Sequence, residues 1–492
     1  MYQPSLRQAR ELAERGNLIP VYREIFADLE TPVSAYLKIA MGDYSFLLES
    51  VEGGERIARY SFIGAEPRQV MRFRAGHLIV TDGNGAVVEE RRTDNPLDAI
   101  RQEMERYRLV RTEDLPRFHG GAVGYLSYEI SRYFERLPAP DADPLDLPEM
   151  VILFVDTLLV FDHVKRKIKV VSHAHTEDGV EEGYEEAIAK IDRLVARLHS
   201  RALSLPAYRP AADSAPPSSN LTPEQFESAV DQAIEEIRAG EIIQVVISQR
   251  LARPTSAPAF DIYRALRTVN PSPYMFYFQL DGFHLVGASP ELLVRVEDGL
   301  IVNRPLAGTR WRGKTPEEDR ALEAELRADE KERAEHVMLV DLARNDVGRV
   351  SKPGSVKVTE LMDVERYSHV MHLVSNVVGE LKPELTAFDA LRVCFPAGTV
   401  SGAPKIRAME IIAELEPDRR GPYAGAVGYF SYSGNMDTCI TLRTMVVKDG
   451  VAYVQAGGGV VADSTPAFER QESLNKARAL LLAVEEAEKM GA

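Results

Sequence analysis

Two acidic pairs with the same spacing, Glu332-x-x-Glu335 in KERAEH and Glu469-x-x-Glu472 in FERQES, could together hold a divalent cation. Positions i and i+3 share one face of a helix, so two such helices brought face to face present four carboxylates, the hard oxygen donors that suit Mg2+. With 75 acidic residues in the chain, such pairs also arise on solvated helices, so the neighbouring residues must decide. Thr315-Pro316-Glu317-Glu318 and Ser464-Thr465-Pro466 read as helix starts, one upstream of each pair. Gly457-Gly458-Gly459 follows the apolar run VAYVQA, a pattern expected of a strand that ends in bare glycines and offers its N–H groups to an anion. A plain glycine turn fits the same triplet.

Between the two pairs lie His372, the segment Pro396 to Lys405 (PAGTVSGAPK), Tyr423 and Arg443, side chains suited to carboxylate and hydroxyl recognition. Arg443 can form a bidentate pair with a carboxylate. Spacing alone does not bring these residues together.

The elements that would position them are announced by two internal echoes. GGAVGYLSY (Gly120 to Tyr128) matches AGAVGYFSY (Ala424 to Tyr432), with alternating aromatics that predict strands. FIGAEP (Phe62 to Pro67) followed by HLIV matches LVGASP (Leu285 to Pro290) followed by GLIV, and after the shared proline Arg68 stands where the second copy has Glu291. The basic run HVKRKIKVV reads as a hairpin. RALSLPAYRPAADSAPPSSN, rich in Pro, Ala and Ser, reads as a linker. The expected architecture is α+β: two related halves, 15–200 and 221–492, joined by the 201–220 linker, with two facing antiparallel sheets and helices outside.

Composition narrows the function. The 492 residues can bury a large core, and a net charge of −16 argues against a nucleic-acid or anionic-membrane surface. Only Cys394 and Cys439 occur, which fits a reducing compartment. The first residues lack an apolar signal, and the longest apolar run, MVILFVDTLLVF, is short and broken by Asp156. A cytoplasmic enzyme acting on a small molecule is expected.

ASPE, PLAGT, DEKERAEHVMLVDLARND, PAGTVSGAPK, the glycine triplet and RQESLNKA occur in that order and resemble the chorismate-utilising enzymes across essentially the whole chain. LLES (Leu47 to Ser50) and NPSPYMF (Asn270 to Phe276) look like the tryptophan-sensing signature of the anthranilate synthase large subunits within that family. The resemblance implies that Glu335 and Glu472 bind Mg2+ directly, with Glu332 and Glu469 assisting through water, and that the metal holds the ring carboxylate of chorismate. It implies Arg443 and Tyr423 for the enolpyruvyl carboxylate. Gly308, Thr309, Thr399, Gly457, Gly458, Gly459 and Lys476 would complete the cradle. Glu291 would protonate the departing C4 hydroxyl, with His372, and Thr399 beside it, at the reacting centre. Ser50, Pro273, Tyr274 and Met275 would grip inhibitory tryptophan.

Two positions bear on which reaction runs. Relatives that add water to chorismate carry a lysine base where this chain has Gln244, and relatives that aminate at C4 carry a nucleophilic lysine where it has Ala307. What remains is attack by ammonia at C2, then loss of pyruvate to give anthranilate. No glutaminase signature occurs, so the resemblance implies a separate glutamine amidotransferase subunit and a heterotetramer of two large and two small subunits. Two other enzymes share the motifs, an aminodeoxychorismate synthase component I and a 2-amino-2-deoxyisochorismate synthase. A catalytically dead tryptophan-binding regulator is a third reading, of a different class.

Overall fold

The computed structural model describes residues 1–50, 59–112, 114–177, 179–200, 203, 216–367 and 370–490. Residues 201, 202 and 204–215 of the expected linker lie outside the described residues. Two antiparallel sheets of 12 strands each make up the centre of the molecule. Both draw on both halves of the chain. In the first sheet Ser45–Glu49 pairs with Tyr274–Leu280, and the order continues through Phe283–Ser289, Thr444–Lys448 and Val451–Val460 to Gln244–Pro254. In the second, Leu292–Glu297 pairs with Met436–Ile440, which leads through Ala426–Ser431 to Gly121–Leu126.

Aromatic and β-branched residues alternate along these strands, so each sheet has two apolar faces to cover. The inner faces meet in one core, where Phe46, Phe276 and Phe278 of the first sheet pack with Tyr125, Leu153 and Val427 of the second. Each such side chain contributes roughly 1.5–3 kcal/mol by leaving water. The outer face of the first sheet is covered by helices Val180–Ser200, Ala259–Val269 and Pro466–Met490, and that of the second by Pro96–Glu105, Glu330–Val350 and Ala387–Cys394.

The echoes are strands, and their placement explains them. Gly121–Leu126 and Ala426–Ser431 lie side by side with Gly124 opposite Gly428, the two equivalent glycines of the repeat. In the other sheet Phe46 faces Gly64 and Phe276 faces Gly287, again at matching positions. The basic run connects Thr157–Asp162 to Lys167–His175 as the expected hairpin.

Two local expectations are corrected. The glycine triplet forms no turn: Gly457, Gly458 and Gly459 stay within strand Val451–Val460, opposite Ser248, Ile247 and Val246, because the neighbouring strand supplies a ladder that the local sequence does not reveal. The helix begun at Thr315 ends at Ala328 and does not carry the first acidic pair. Asp329, in an extended conformation, caps a new helix, Glu330–Val350, by accepting from the N–H groups of Lys331 and Glu332.

Candidate active site

One wall of the candidate site is the glycine strand and the helix after it. Ser464 donates to Glu469 Oε1 at 2.7 Å, while Glu469 Oε2 is buried without a hydrogen-bond partner. Burial, reinforced by the charge of Glu472, pushes the Glu469 carboxyl up to about 7. Glu472 pairs with Lys476 at 2.9 Å, and Lys476 Nζ donates to the carbonyl of Gly457 at 3.0 Å. Glycine is required for space at Gly457, where a Cβ would stand 2.6 Å from the Ile247 carbonyl oxygen; a Cβ on Gly458 would stand 2.6 Å from Glu469 Oε2 and one on Gly459 2.6 Å from Gln244 Nε2, so either would displace a site side chain.

The facing wall comes from helix Glu330–Val350 and strand Leu306–Trp311. Arg310 reaches across to Glu332 at 3.1 Å while also bonding Glu325 and Asp329. Burial still leaves the Glu332 carboxyl above its ordinary value, with Arg310 opposing and Glu335 adding to the rise. Glu335 Oε1 accepts from Gln244 Nε2 at 2.9 Å, so the amide of Gln244 lies between the first acidic pair and the glycine strand. Among the described residues no three acidic, histidine or cysteine side chains form a ready-made cation cage. The donors nonetheless fit Mg2+: all are carboxylates, and the buried, unpartnered oxygen of Glu469 lacks the positive group that its ionised form needs.

Beside the strand of the second wall sits another group. Glu291 is buried, and desolvation pushes its carboxyl up to about 8 against the opposing influence of Thr399, the Leu306 backbone and Arg443. At neutral pH it therefore carries its proton. Thr399 Oγ1 is buried and makes no well-aligned hydrogen bond of its own. Arg443 occupies a left-handed backbone position (φ 48°), and burial holds its guanidinium below the usual range despite the nearby Glu291. No ion pair to that guanidinium forms among the described residues. His372 is buried, with Nδ1 2.8 Å from the Gly308 carbonyl and 3.2 Å from Thr309 Oγ1. A carbonyl can only accept, so Nδ1 carries the proton and Nε2 keeps its lone pair. Burial lowers the imidazole to about 4, which keeps it neutral. Gly308 joins the two groups, since a Cβ there would stand 3.2 Å from Glu332 Oε2. Tyr423 adjoins the loop bearing Arg443 through the hydrogen bond from Ala424 N to Thr441 O, and burial raises its phenol to about 12.

The four inhibitor-site candidates come together elsewhere. Ser50, Pro273, Tyr274 and Met275 line a cavity of about 360 Å³ between the sheets, with Glu49, Arg117 and Asp437 also in its wall. Tyr274 Oη donates to Asp437 Oδ1 at 3.1 Å. Asp437 and Cys439 lie on strand Met436–Ile440, and the next residue, Ile440, donates its N–H to the carbonyl of Glu291 at 3.1 Å. The cavity and the buried acid thus share one strand.

Sequence reasoning missed the role of one residue and two further contributors. Gln244 was legible only as the absence of a base, whereas its amide holds Glu335. Arg310 and Asp437 carried no local signal, since their partners are set by sheet pairing. The assembled group can bind a dicarboxylate at Arg443 and a carboxylate-bound cation, donate a proton from Glu291, and keep a neutral imidazole at the same place.

With that geometry in hand, comparison with known proteins gives a consistent picture. The family profile of chorismate binding enzymes matches residues 44–482. The chain is 49% identical to anthranilate synthase component 1 of Acetivibrio thermocellus, covering 99% of each chain, and 49% identical to that of Pseudomonas putida, covering 97% of each. Among solved structures, anthranilate synthase component I from Streptococcus pneumoniae TIGR4 aligns with a TM-score of 0.77 at 38% identity, covering 93% of this chain and 98% of that one. The menaquinone-specific isochorismate synthase of Escherichia coli has a TM-score of 0.70 at 20% identity, covering 97% and 98%, and shares the fold.

Proposed function

This chain belongs to the chorismate-binding enzyme family, and we propose that it is the large subunit of an anthranilate synthase, converting chorismate and ammonia to anthranilate, pyruvate and water as the entry to tryptophan biosynthesis. The observation that carries this reading is the engaged amide of Gln244. It bonds Glu335 and has no lone pair that could deprotonate water, and Ala307 offers no nucleophile either. Ammonia is then the nucleophile that attacks C2.

Arg443, with Tyr423 beside it, receives the enolpyruvyl carboxylate. Glu291, protonated at neutral pH, gives its proton to the C4 hydroxyl as it departs, and the carboxylate left behind is stabilised by Arg443. Neutral His372, fixed by Gly308 and Thr309, presents Nε2 for proton movement as pyruvate leaves. Glu335 and Glu472 would hold Mg2+, with Glu332 and Glu469 acting through water, and the bound ion would supply a fixed positive charge for the ring carboxylate. Gly457 to Gly459, Gly308 and Lys476 shape the cradle, and Thr399 lies beside the acid.

Both cysteines are buried and free, and burial raises the Cys394 thiol to about 12 and drives Cys439 higher still. Neither can serve as a glutaminase nucleophile, which supports an amidotransferase partner that delivers ammonia, in a heterotetramer of two large and two small subunits. The cavity around Ser50 and Tyr274 has the size and mixed polarity of an amino-acid site, and we assign it to feedback inhibition by tryptophan.

Magnesium titrations test the assignment. With chorismate and an ammonium salt, anthranilate fluorescence should rise only with Mg2+ and should vanish in Glu335→Gln and Glu472→Gln, with calorimetry showing weakened Mg2+ binding. Undiminished turnover in either variant would refute the metal role.

A further inference from the structure

The inter-sheet cavity has an acid in its wall that turns away from it. Glu49 is 6% exposed and lies opposite Met275 in the ladder, yet its carboxylate is held by helix Ala259–Val269. Tyr263 Oη donates to Oε2 at 2.5 Å. Arg267 Nη2 donates to Oε1 at 3.1 Å, and Arg267 Nε lies 2.9 Å from Oε2 at an angle too poor for a hydrogen bond. The strand that walls the cavity is therefore tied through this acid to one helix.

That helix leads to the candidate active site. Tyr263 and Leu266 belong to the same packed core as Leu480 and Val484 of helix Pro466–Met490, whose first turns carry Glu469, Glu472 and Lys476. A packed interface between two helices shifts as a unit more readily than it deforms.

We propose that Tyr263 and Arg267 are positioning residues that couple occupancy of the inter-sheet cavity to helix Pro466–Met490. A ligand that fills the cavity displaces the end of strand Ser45–Glu49, and Glu49, tied to Tyr263 and Arg267 on the other face of the sheet, draws helix Ala259–Val269 and its neighbour with it. This rests on the assignment of the cavity to tryptophan above. It is separate from the shorter connection through strand Met436–Ile440, which involves neither residue.

The test uses the full chain with Mg2+, chorismate and ammonium, and compares the parent with Tyr263→Phe and with Tyr263→Phe/Arg267→Gln. Equilibrium dialysis gives tryptophan affinity with and without chorismate, and initial rates give kcat and KM with and without saturating tryptophan. The uninhibited kcat and KM should stay within about twofold of the parent, and tryptophan should still bind. The factor by which tryptophan raises the chorismate KM should fall about fivefold or more in Tyr263→Phe and further in the double variant. A coupling factor equal to the parent's in both would overturn the proposal and leave the strand as the route. If the double variant loses activity, Tyr263→Phe alone decides, because its ring can keep its place beside Phe260. A parent that binds no tryptophan, or a Ser50→Phe variant inhibited like the parent, would instead overturn the cavity assignment itself.

Discussion

The chain has two clefts built on the same plan, and one of them is filled. Strand Val451–Val460 sets Gly459, Gly458 and Gly457 opposite Val246, Ile247 and Ser248, while Lys167–His175 sets His175, Ala174 and His173 opposite Leu18, Ile19 and Pro20. The helix after each strand carries a Glu–Lys pair four residues apart, Glu472–Lys476 in one and Glu186–Lys190 in the other. Arg68 stands in the place of Glu291, and His119 precedes its echo strand as Tyr423 precedes the other. In the N-terminal cleft His119 stacks on His173, His173 Nδ1 lies 2.8 Å from the Asp156 carbonyl, and His175 and Lys190 both reach Asp156 Oδ2 at 3.2 Å. Two sheets with matching topology thus create equivalent sites, and side-chain volume decides which stays open. Glycines opposite carboxylates leave room for a substrate, whereas imidazoles over an aspartate complete a core.

The largest expected difference between the clefts lies at the equivalent positions 291 and 68. Glu291→Gln should lower kcat by about 10²–10⁴-fold while chorismate binding, measured by calorimetry, persists. Arg68→Gln should leave kcat within about threefold, and an equal loss in both would erase the distinction. Next comes packing. Gly458→Ala drives a methyl group against Glu469 and should cost about 10²-fold in kcat/KM, whereas His173→Ala should leave kcat nearly unchanged and lower stability by about 1–3 kcal/mol in urea titrations.

The smallest effect is the sharpest in sign. Burial raises Glu291 to about 8, so its contribution to stability is full below its ordinary value near 4.5 and is lost as pH rises through about 8; the alkaline limb of kcat/KM, set by loss of this proton, should fall near pH 8. The N-terminal cleft behaves in the opposite way. Burial lowers His119 to about 3 and His173 to about 4, and Asp156 is held below the usual carboxylate range by His175 and Lys190 against its own burial, so their contribution is lost as pH falls. Hydrogen exchange near pH 4.5 should therefore open Lys167–His175 before Val451–Val460, and the reverse order would contradict the assignment of charges.

Much of this was legible in the sequence because the echoes encode strand pairing directly: Gly124 and Gly428 are equivalent in the repeat and opposite each other in the sheet. The sheet sandwich followed from that alternation, and the acidic pairs stood out by spacing. What escaped depended on distant partners. The glycine triplet reads locally as a turn, and only its ladder with Val246 to Ser248 keeps it extended. Gln244 finds Glu335 across 91 residues of chain, a pairing that no local pattern announces. The break at Asp329 did leave a signal, since an aspartate three residues before Glu332 is a helix-start pattern that the stronger Thr315-Pro316 start overshadowed.

The most direct test of the account is the product balance of the chain alone with chorismate, Mg2+ and ammonium chloride, resolved by mass spectrometry. One anthranilate and one pyruvate for each chorismate consumed is the expected result. Accumulation of isochorismate, of an aminodeoxychorismate, or of an aminated intermediate that retains its pyruvyl group would contradict it.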